Sequence, residues 1–553
     1  MRLVVGIFSF LLFLWRVSSK TSDNFLQCLR KYSDPVNDIS HIVYTSANNS
    51  AYSSVLQARI QNLRYNTPKT RKPEFIITPF KKSHVSAAVI CTKNSGFNLR
   101  IRSGGHDFEG LSYVSDVPFI LLDLFNLNAI NVNVGAQTVY VEAGATVGEL
   151  YYKIWEKSKV HGLPAGVCPT VGIGGHISGG GYGNMIRKYG LSVDHVVDAE
   201  IMDAQGRILN KKTMDEDLFW AIRGGGGASF GVVLSYTFNL VPVPKVVSVF
   251  QVMKFAEDNV TDLVYKWQHV MQDIDDDLFI RLLLQPVTVP KSNGKKVIRV
   301  TFISLFLGGA DRLVSVMNSQ FPELGLKRSD CLEMTWGESV LFWANYDNRT
   351  SMKVLLNQTY DADYLKRKSD YVTEPISKDG LELLWKKLVN IAKPGLVFNS
   401  YGGQMSKISE SVTPFPHRHG NLYKIQYSIS WKEPGEEAER KYLGMIRELY
   451  DFMTPYVSKS PRRAYLNYRD LDIGVAHDFT YEEGKVYGEK YFVDNFDRLV
   501  RVKSKVDADN FFRNEQSIPP LKSGGEKRKV VYAVYFLNAF ATWLACAKWF
   551  LMP

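Results

Sequence analysis

The sequence predicts an α+β fold in two lobes, and three observations carry that prediction. At 553 residues the chain is longer than one hydrophobic core ordinarily organises. Residues 25–245 alternate strand-like runs, such as Phe75-Ile76-Ile77-Thr78 and Val139-Tyr140-Val141-Glu142, with helical runs such as Ser83 to Lys93 and Val147 to Lys157. From Val246 the pattern changes to longer strands, including Val297 to Leu307 and Leu422 to Trp431, separated by amphipathic helices such as Gly435 to Met453. That second pattern, over residues 246–480, predicts an antiparallel sheet covered by helices on one face. A composition of 45% hydrophobic and 22% charged residues is that of a globular protein.

The amino end is an address. Met1-Arg2, the apolar run Leu3 to Trp15 and the small-residue stretch Val17-Ser18-Ser19 read as a secretory signal peptide over residues 1–20. Secretion implies an extracellular or cell-wall location, with the vacuole as the alternative. It makes the sequons at Asn48, Asn259, Asn348 and Asn357 candidate glycan sites. The formal charge of +11 does not mark a nucleic-acid binder. Lys and Arg are scattered, no basic cluster is longer than three residues, as at Lys527-Arg528-Lys529, and no nucleic-acid motif accompanies them.

Two glycine-rich segments carry the chemistry. Arg102-Ser103-Gly104-Gly105-His106 follows a strand-like run at Asn98 to Ile101. The second, Gly166 to His176 (GVCPTVGIGGH), precedes a strand entering a turn at Ile201 to Gly206, and a third glycine run spans Arg223 to Gly231. Glycines let backbone N–H groups approach a pyrophosphate closely, and His106 and Cys168 are nucleophiles able to bond to an oxidised ring. Each segment alone reads as a turn; together they read as a cofactor cradle. There is no GxGxxG with a downstream acid and no GxxxxGK[ST], so neither a Rossmann fingerprint nor a P-loop explains the glycines. Without CxxC or HExxH, no metal site is expected.

A third constellation lies in the second lobe. In Tyr423-Lys424-Ile425-Gln426-Tyr427, strand alternation throws Lys424 and Gln426 to one face, opposite the three apolar-bodied residues. Lys and Gln facing a closed core would be costly, so that face is expected to line a wet cavity.

These segments resemble the berberine bridge enzyme-like proteins, plant flavin oxidases of the vanillyl-alcohol oxidase superfamily. The matching stretches are Arg102 to Tyr113 (RSGGHDFEGLSY), Gly166 to Gly183, Asp215 to Gly231, Tyr423 to Trp431, Tyr465 to Gly474 (YLNYRDLDIG) and Phe511 to Leu521. The resemblance implies a PCMH-type FAD-binding domain at 25–245, a substrate domain at 246–480 and a return to the flavin domain at 481–521. It implies FAD held covalently by His106 and Cys168 in a cradle that includes Arg102, Ser103, Gly104, Gly105, Gly172, Gly174 and Gly175. It also implies a disulfide between Cys28 and Cys91. Tyr468 would act as general base, with Lys424, Gln426 and Tyr182 facing the flavin and the Lys424 ammonium favouring phenolate. Val171 occupies the position where a small residue admits O₂, so an oxidase releasing hydrogen peroxide is expected. Cys331 is read as a buried thiol.

The expected substrate is a small molecule with an alcohol group, an oligosaccharide or a monolignol-type aromatic alcohol. Two departures bear on it: Phe108 replaces a Tyr frequent in the family, and Gln426 stands where alkaloid-cyclising members carry Glu. An alkaloid or other specialised-metabolite oxidase or cyclase is the alternative. A flavin-retaining secreted binding protein without turnover is the alternative of another class. Beyond Leu521, residues 522–553 form an atypical hydrophobic tail in which Val530 to Leu551 is long enough to span a bilayer. Lys548 and the basic flank argue against a simple anchor, so membrane association through it is the disfavoured reading.

Overall fold

The computed structural model of the protein describes residues 21–32, 39–46, 49–289, 294–347 and 349–521. The signal segment, Asn48, Asn348, Cys546 and the tail lie outside the described residues. No helix among those described is long and apolar enough to cross a membrane.

The amino-terminal region builds two sheets. In the first, β1 (Val43–Thr45), β2 (Phe75–Ile77), β3 (Asn98–Arg102) and β4 (Phe119–Asp123) lie in the order β1-β2-β4-β3, with β4 parallel to both neighbours. Its Phe-Ile-Leu-Leu-Asp sequence is buried throughout, as a central parallel strand requires. The helix Lys82–Ser95 crosses from β2 to β3 and stops where Gly96 takes a left-handed conformation at φ 73°. Its Cys91 is bonded to Cys28 of the helix over residues 21–32, so the pairing the family resemblance implies is present. In the second sheet β5 (Ile130–Asn133), β6 (Thr138–Glu142), β8 (Val196–Met202), β9 (Ile208–Leu209) and β10 (Val232–Asn239) run antiparallel in the order β5-β6-β10-β8-β9. A two-stranded ribbon pairs β7 (His161–Gly162) with β11 (Val241–Pro242).

The second region forms one antiparallel sheet of seven strands. These are β12 (Val247–Phe255), β13 (Leu278–Thr288), β14 (Lys296–Phe306), β15 (Cys331–Met334), β16 (Tyr364–Val372), β17 (Gly395–Ser400) and β18 (Tyr423–Trp431), ordered β15-β12-β14-β13-β17-β18-β16. Alternation sorts the faces. Ile280, Leu282 and Leu284 of β13, Phe398 of β17 and Ile425 and Tyr427 of β18 enter one core with Trp267, Leu384, Leu388, Ile446 and Leu449. Those residues belong to the helices Val260–Asp273, Lys378–Ile391 and Glu436–Phe452, which cover that face alone. The opposite face carries Arg281, Arg367, Asn399, Lys424 and Gln426 and is turned toward the glycine loops of the first region.

After β18 and its helix the chain rejoins the first core. Tyr465, Tyr487, Tyr491, Phe496, Leu499, Phe512 and Ile518 pack with residues of the two amino-terminal sheets. Lys503, fully buried, donates to the carbonyls of Ser229 and Phe512 and to Asp507, each at 2.6 Å, and so bolts the helix Phe496–Val506 to the third glycine run.

A buried charge network joins the regions. Lys366 of β16 pairs with Glu109, three residues beyond His106, and with Asp470 at 2.7 Å, two residues beyond Tyr468; each of the three side chains is 2% exposed. Lys368 reaches the same Asp470 at 2.5 Å and Asp472 at 3.0 Å. Burial alone would lower the ammonium pKa of Lys366, but the carboxylates outweigh it and hold it above its ordinary value. Replacing Lys366 by Met leaves two buried carboxylates short of a partner, and we expect a loss of roughly 3–5 kcal/mol in stability. Denaturant unfolding of the protein checks this; a change within about 0.5 kcal/mol would show the network to be dispensable.

Candidate active site

The two glycine segments meet backbone to backbone. A Cβ on Gly104 would stand 2.3 Å from the Gly172 nitrogen, and one on Gly172 would stand 2.1 Å from Ser103 Oγ and 2.2 Å from the Gly104 nitrogen. Both loops dock on the same stretch, residues 143–148. Ser103 Oγ donates to the Ala143 carbonyl at 2.5 Å, Gly174 N–H to the same carbonyl at 3.0 Å, and Ile173 N–H to Ala145 at 2.8 Å. The N–H groups of Val147 and Gly148 return bonds to the carbonyls of Val171 and Pro169. The helix Val147–Lys157 that supplies them is held by a Thr146/Glu149 capping box. Gly105, at φ +72°, passes so close to the Arg59 carbonyl that a Cβ would lie 2.1 Å from it, whereas a Cβ on Gly175 would meet only open space.

Arg102 does not take part in the way its motif led us to expect. Its guanidinium is wholly buried behind the loop, on Asp123 at 2.7 Å and on the carbonyls of Val55 and Leu56 at 2.8 Å. It anchors the cradle and has no side-chain group turned to a cofactor, because β3 alternation sends it into the interior.

The two nucleophiles differ in setting. His106 Nε2 is buried without a hydrogen-bond partner, and burial, opposed by the Thr170 carbonyl, takes its pKa down to about 4. The imidazole is therefore neutral and nucleophilic at ordinary pH. Cys168 is a free, exposed thiol. The surrounding protein raises its pKa, while Arg281 and Arg367 pull it down.

Across from the loops stands the polar face of the seven-stranded sheet. Lys424 is fully buried, and its Nζ has no hydrogen-bond partner. It lies 3.5 Å from the ring centre of Tyr182, 3.9 Å from Tyr465 and 4.5 Å from Tyr468. Burial and Arg281 hold its pKa well below the usual lysine range, although three ring faces offset part of that cost. Tyr182 has a buried hydroxyl without a partner. Tyr468 is half-buried, and burial pushes its phenol up to about 12 against the pull of Arg281 and Arg367. Gln426, half-buried, stands opposite Ser369 on the same face. The structure thus brings Lys424, Tyr182 and Tyr468 together as the motifs predict.

Sequence reasoning missed several residues here. Arg281 sits on β13 with its Nε on Asn399 Oδ1 at 2.9 Å, and Arg367 on β16 donates to Ser430 Oγ at 2.9 Å. These guanidiniums, and not Lys424, are the cations that lower the phenol of Tyr468. Lone arginines in long strands carry no motif, but their shared face with Lys424 follows from strand register. His176, inside the second glycine segment, accepts from Gly166 N–H at Nε2, and Asn467 Nδ2 binds the His176 carbonyl at 2.8 Å, tying the Tyr468 loop to the Cys168 loop. Of the sequons, Asn259 and Asn357 are exposed. Cys331 is buried.

The residues present fit a flavin dinucleotide: glycine backbone with one open position, a neutral buried imidazole with a free nitrogen, and an accessible thiol facing a polar wall. Fold and site define an FAD-binding oxidoreductase. The FAD binding domain family matches residues 73–211, and the family described as berberine and berberine like matches residues 464–519. Berberine bridge enzyme-like 8 of Arabidopsis thaliana is 53% identical over 526 residues, covering 94% of this chain and 99% of its own length. Tetrahydroberberine oxidase of Berberis wilsoniae is 51% identical over 532 residues, with 94% and 99% covered. The solved structure of wild-type Phl p 4, a grass pollen allergen described as a glucose dehydrogenase, has a TM-score of 0.85 at 42% identity, covering 90% of this chain and 99% of that one. A Phl p 4 variant with one isoleucine replaced by valine is described as a glucose oxidase. The chain belongs to the berberine bridge enzyme-like family.

The Gly104–Gly172 contact has a direct test. Replacing Gly172 by Ala puts a methyl group against backbone that cannot yield, so the two loops must part. We expect a loss of about 1–3 kcal/mol or more in stability together with weakened flavin retention. Thermal unfolding and the protein-bound absorbance near the flavin maximum read both; wild-type values in each would show the contact to be slack.

Proposed function

We propose that the protein is a secreted oxidase that holds FAD through His106 and Cys168 and oxidises an alcohol-type substrate, an oligosaccharide or a monolignol-like aromatic alcohol, with O₂ as acceptor and hydrogen peroxide as product. The observation that carries this reading is Lys424, buried without a hydrogen bond among three phenols on the sheet face opposite the paired glycine loops. When bound, FAD supplies the hydride acceptor and passes electrons to dioxygen. Tyr468 takes the proton of the substrate hydroxyl. Arg281 and Arg367 provide the fixed positive charge that favours its phenolate, and Lys424 exchanges a proton with the neighbouring phenols. Tyr182 and Gln426 orient the substrate through a hydroxyl and an amide that the protein leaves available. Exposed Asn259 and Asn357 suit glycosylation on the secretory route.

Val171 supports the choice of dioxygen. In Phl p 4 the isoleucine-to-valine variant is the oxidase, and its companion carries a second substitution, asparagine to histidine, five positions further on. Val171 and His176 have the same spacing and the same two residue types. An alkaloid substrate is the second reading. Tetrahydroberberine oxidase favours it, and Gln426 in place of a carboxylate weighs against the ring-closing form.

Anaerobic bleaching of the yellow protein tests the proposal. We expect cello-oligosaccharides or cinnamyl alcohols to reduce the flavin. Bleaching by benzylisoquinolines alone would select the second reading, and no bleaching by any of the three would mark a binding protein. With a reducing substrate, Tyr468→Phe should slow flavin reduction by roughly 10²-fold or more; unchanged reduction excludes Tyr468 as the base. Val171→Leu should leave that reduction intact and slow reoxidation in air, and equal reoxidation rates would defeat the gate.

A further inference from the structure

Residues 352–363, between β15 and β16, leave the seven-stranded sheet and lie across both glycine loops. Leu355 is fully buried in the flavin-lobe core, and its carbonyl stands 2.5 Å from where a Cβ on Gly148 would be. Gln358 is held on two sides: its Nε2 donates to Glu149 Oε1 at 2.9 Å, and its Oε1 accepts from Arg59 Nη2 at 2.7 Å. Glu149 caps the helix whose first N–H groups hold the Cys168 loop, and the Arg59 carbonyl abuts Gly105 beside His106. Backbone bonds fasten the far end, from Asp363 N–H to Gln61 and from Leu63 N–H to Asp363. Between these fixings Tyr360 packs its ring against the His106 imidazole, centroids 5.0 Å apart and planes inclined at 59°. The Tyr360 hydroxyl and His106 Nε2 are both buried without a partner.

We propose that this strap presets the His106 imidazole for its bond to flavin, with Tyr360 as the positioning residue. The inference rests on the reading of His106 as an attachment residue. Forming the linkage replaces one C–H bond of a flavin methyl group and the imidazole N–H by a C–N bond. The two hydrogens, with their electron pair, go to dioxygen as hydrogen peroxide. A neutral imidazole free to turn about two side-chain torsions reaches the attacking geometry only part of the time, and a ring packed against one side removes that freedom. Cys168 lies on the other loop, so its linkage should not depend on the Tyr360 ring.

The test uses the full-length secreted protein, produced as wild type, Tyr360→Ala, Tyr360→Phe and Gln358→Ala. Flavin on the His106 and Cys168 peptides is quantified by mass spectrometry after denaturation and digestion. We expect both peptides to carry flavin in the wild type and in Tyr360→Phe, which keeps the ring. In Tyr360→Ala, His106 linkage should fall roughly 10-fold or more while Cys168 linkage is retained; Gln358→Ala, which frees the strap at its edge, should lower His106 linkage to a smaller degree. His106 linkage at the wild-type level in Tyr360→Ala would overturn the inference, as would equal loss at both peptides in that variant. A wild-type protein without flavin on His106 would instead overturn the attachment reading itself, and this inference with it.

Discussion

Two backbones that touch with no side chain between them set the geometry of this protein. Gly104 and Gly172 approach until neither could carry a methyl group, and that contact fixes the distance between the His106 loop and the Cys168 loop. Two loops that close on one rigid group must keep a fixed separation, which flexible side chains would not guarantee. The cradle is therefore made rigid from behind. Arg102 and Asp123 brace the first loop from the interior, and the capped helix Val147–Lys157 braces the second. Arg102, read in its motif as part of the cradle surface, uses its guanidinium to brace the loop from behind.

Strand periodicity then decides the sign of the site. Along β16 the sequence Lys366-Arg367-Lys368-Ser369-Asp370 places charges on alternate faces. Lys366 and Lys368 meet Glu109, Asp470 and Asp472, and Asp370 meets Arg462 at 2.6 Å and the Tyr427 hydroxyl at 2.7 Å. Arg367 and Ser369 point the other way. Acids and their partners are gathered on one side, and the face shared with Lys424 and Arg281 keeps cations without carboxylates. At short range and with little screening, such charges favour the anionic forms of Tyr468 and Cys168. Burial first, and then Arg281 on the same face, disfavour the Lys424 ammonium.

The sequence carried the architecture well because the architecture is periodic. The helix Val147–Lys157 and β18 have nearly the limits their patterns predict, and the change of pattern near Val246 marks where the seven-stranded sheet begins. The cradle was legible for a different reason, since glycine, histidine and cysteine cluster in short contiguous stretches. Arg281, Arg367 and Tyr360 were not legible. Each is a single residue within a long strand or connection, and its part in the site follows from pairing across β13, β17, β18 and β16 or from the course of a strap. Strand register is a three-dimensional property: Arg281 opposes Asn399, which opposes Lys424, and no local spacing reports it.

That limit reflects how the chain is threaded. The flavin lobe is made from both ends of the sequence, with the substrate sheet inserted between them, so Tyr468 arrives at the site only after the chain has left the first core, built the second and returned. Connections between the parts accordingly fall at the site itself. Asp470 binds lysines of the sheet, Asn467 binds the carbonyl of His176, and Arg469 faces Asp107 at 3.4 Å, one residue from His106. The loop that carries Tyr468 is thus held at three of its residues by three different segments. Opening the two lobes would break these ties together, so the contacts that shape the catalytic hollow are also contacts that keep the lobes joined. A chain built this way gains its reactive geometry only when the whole fold is in place.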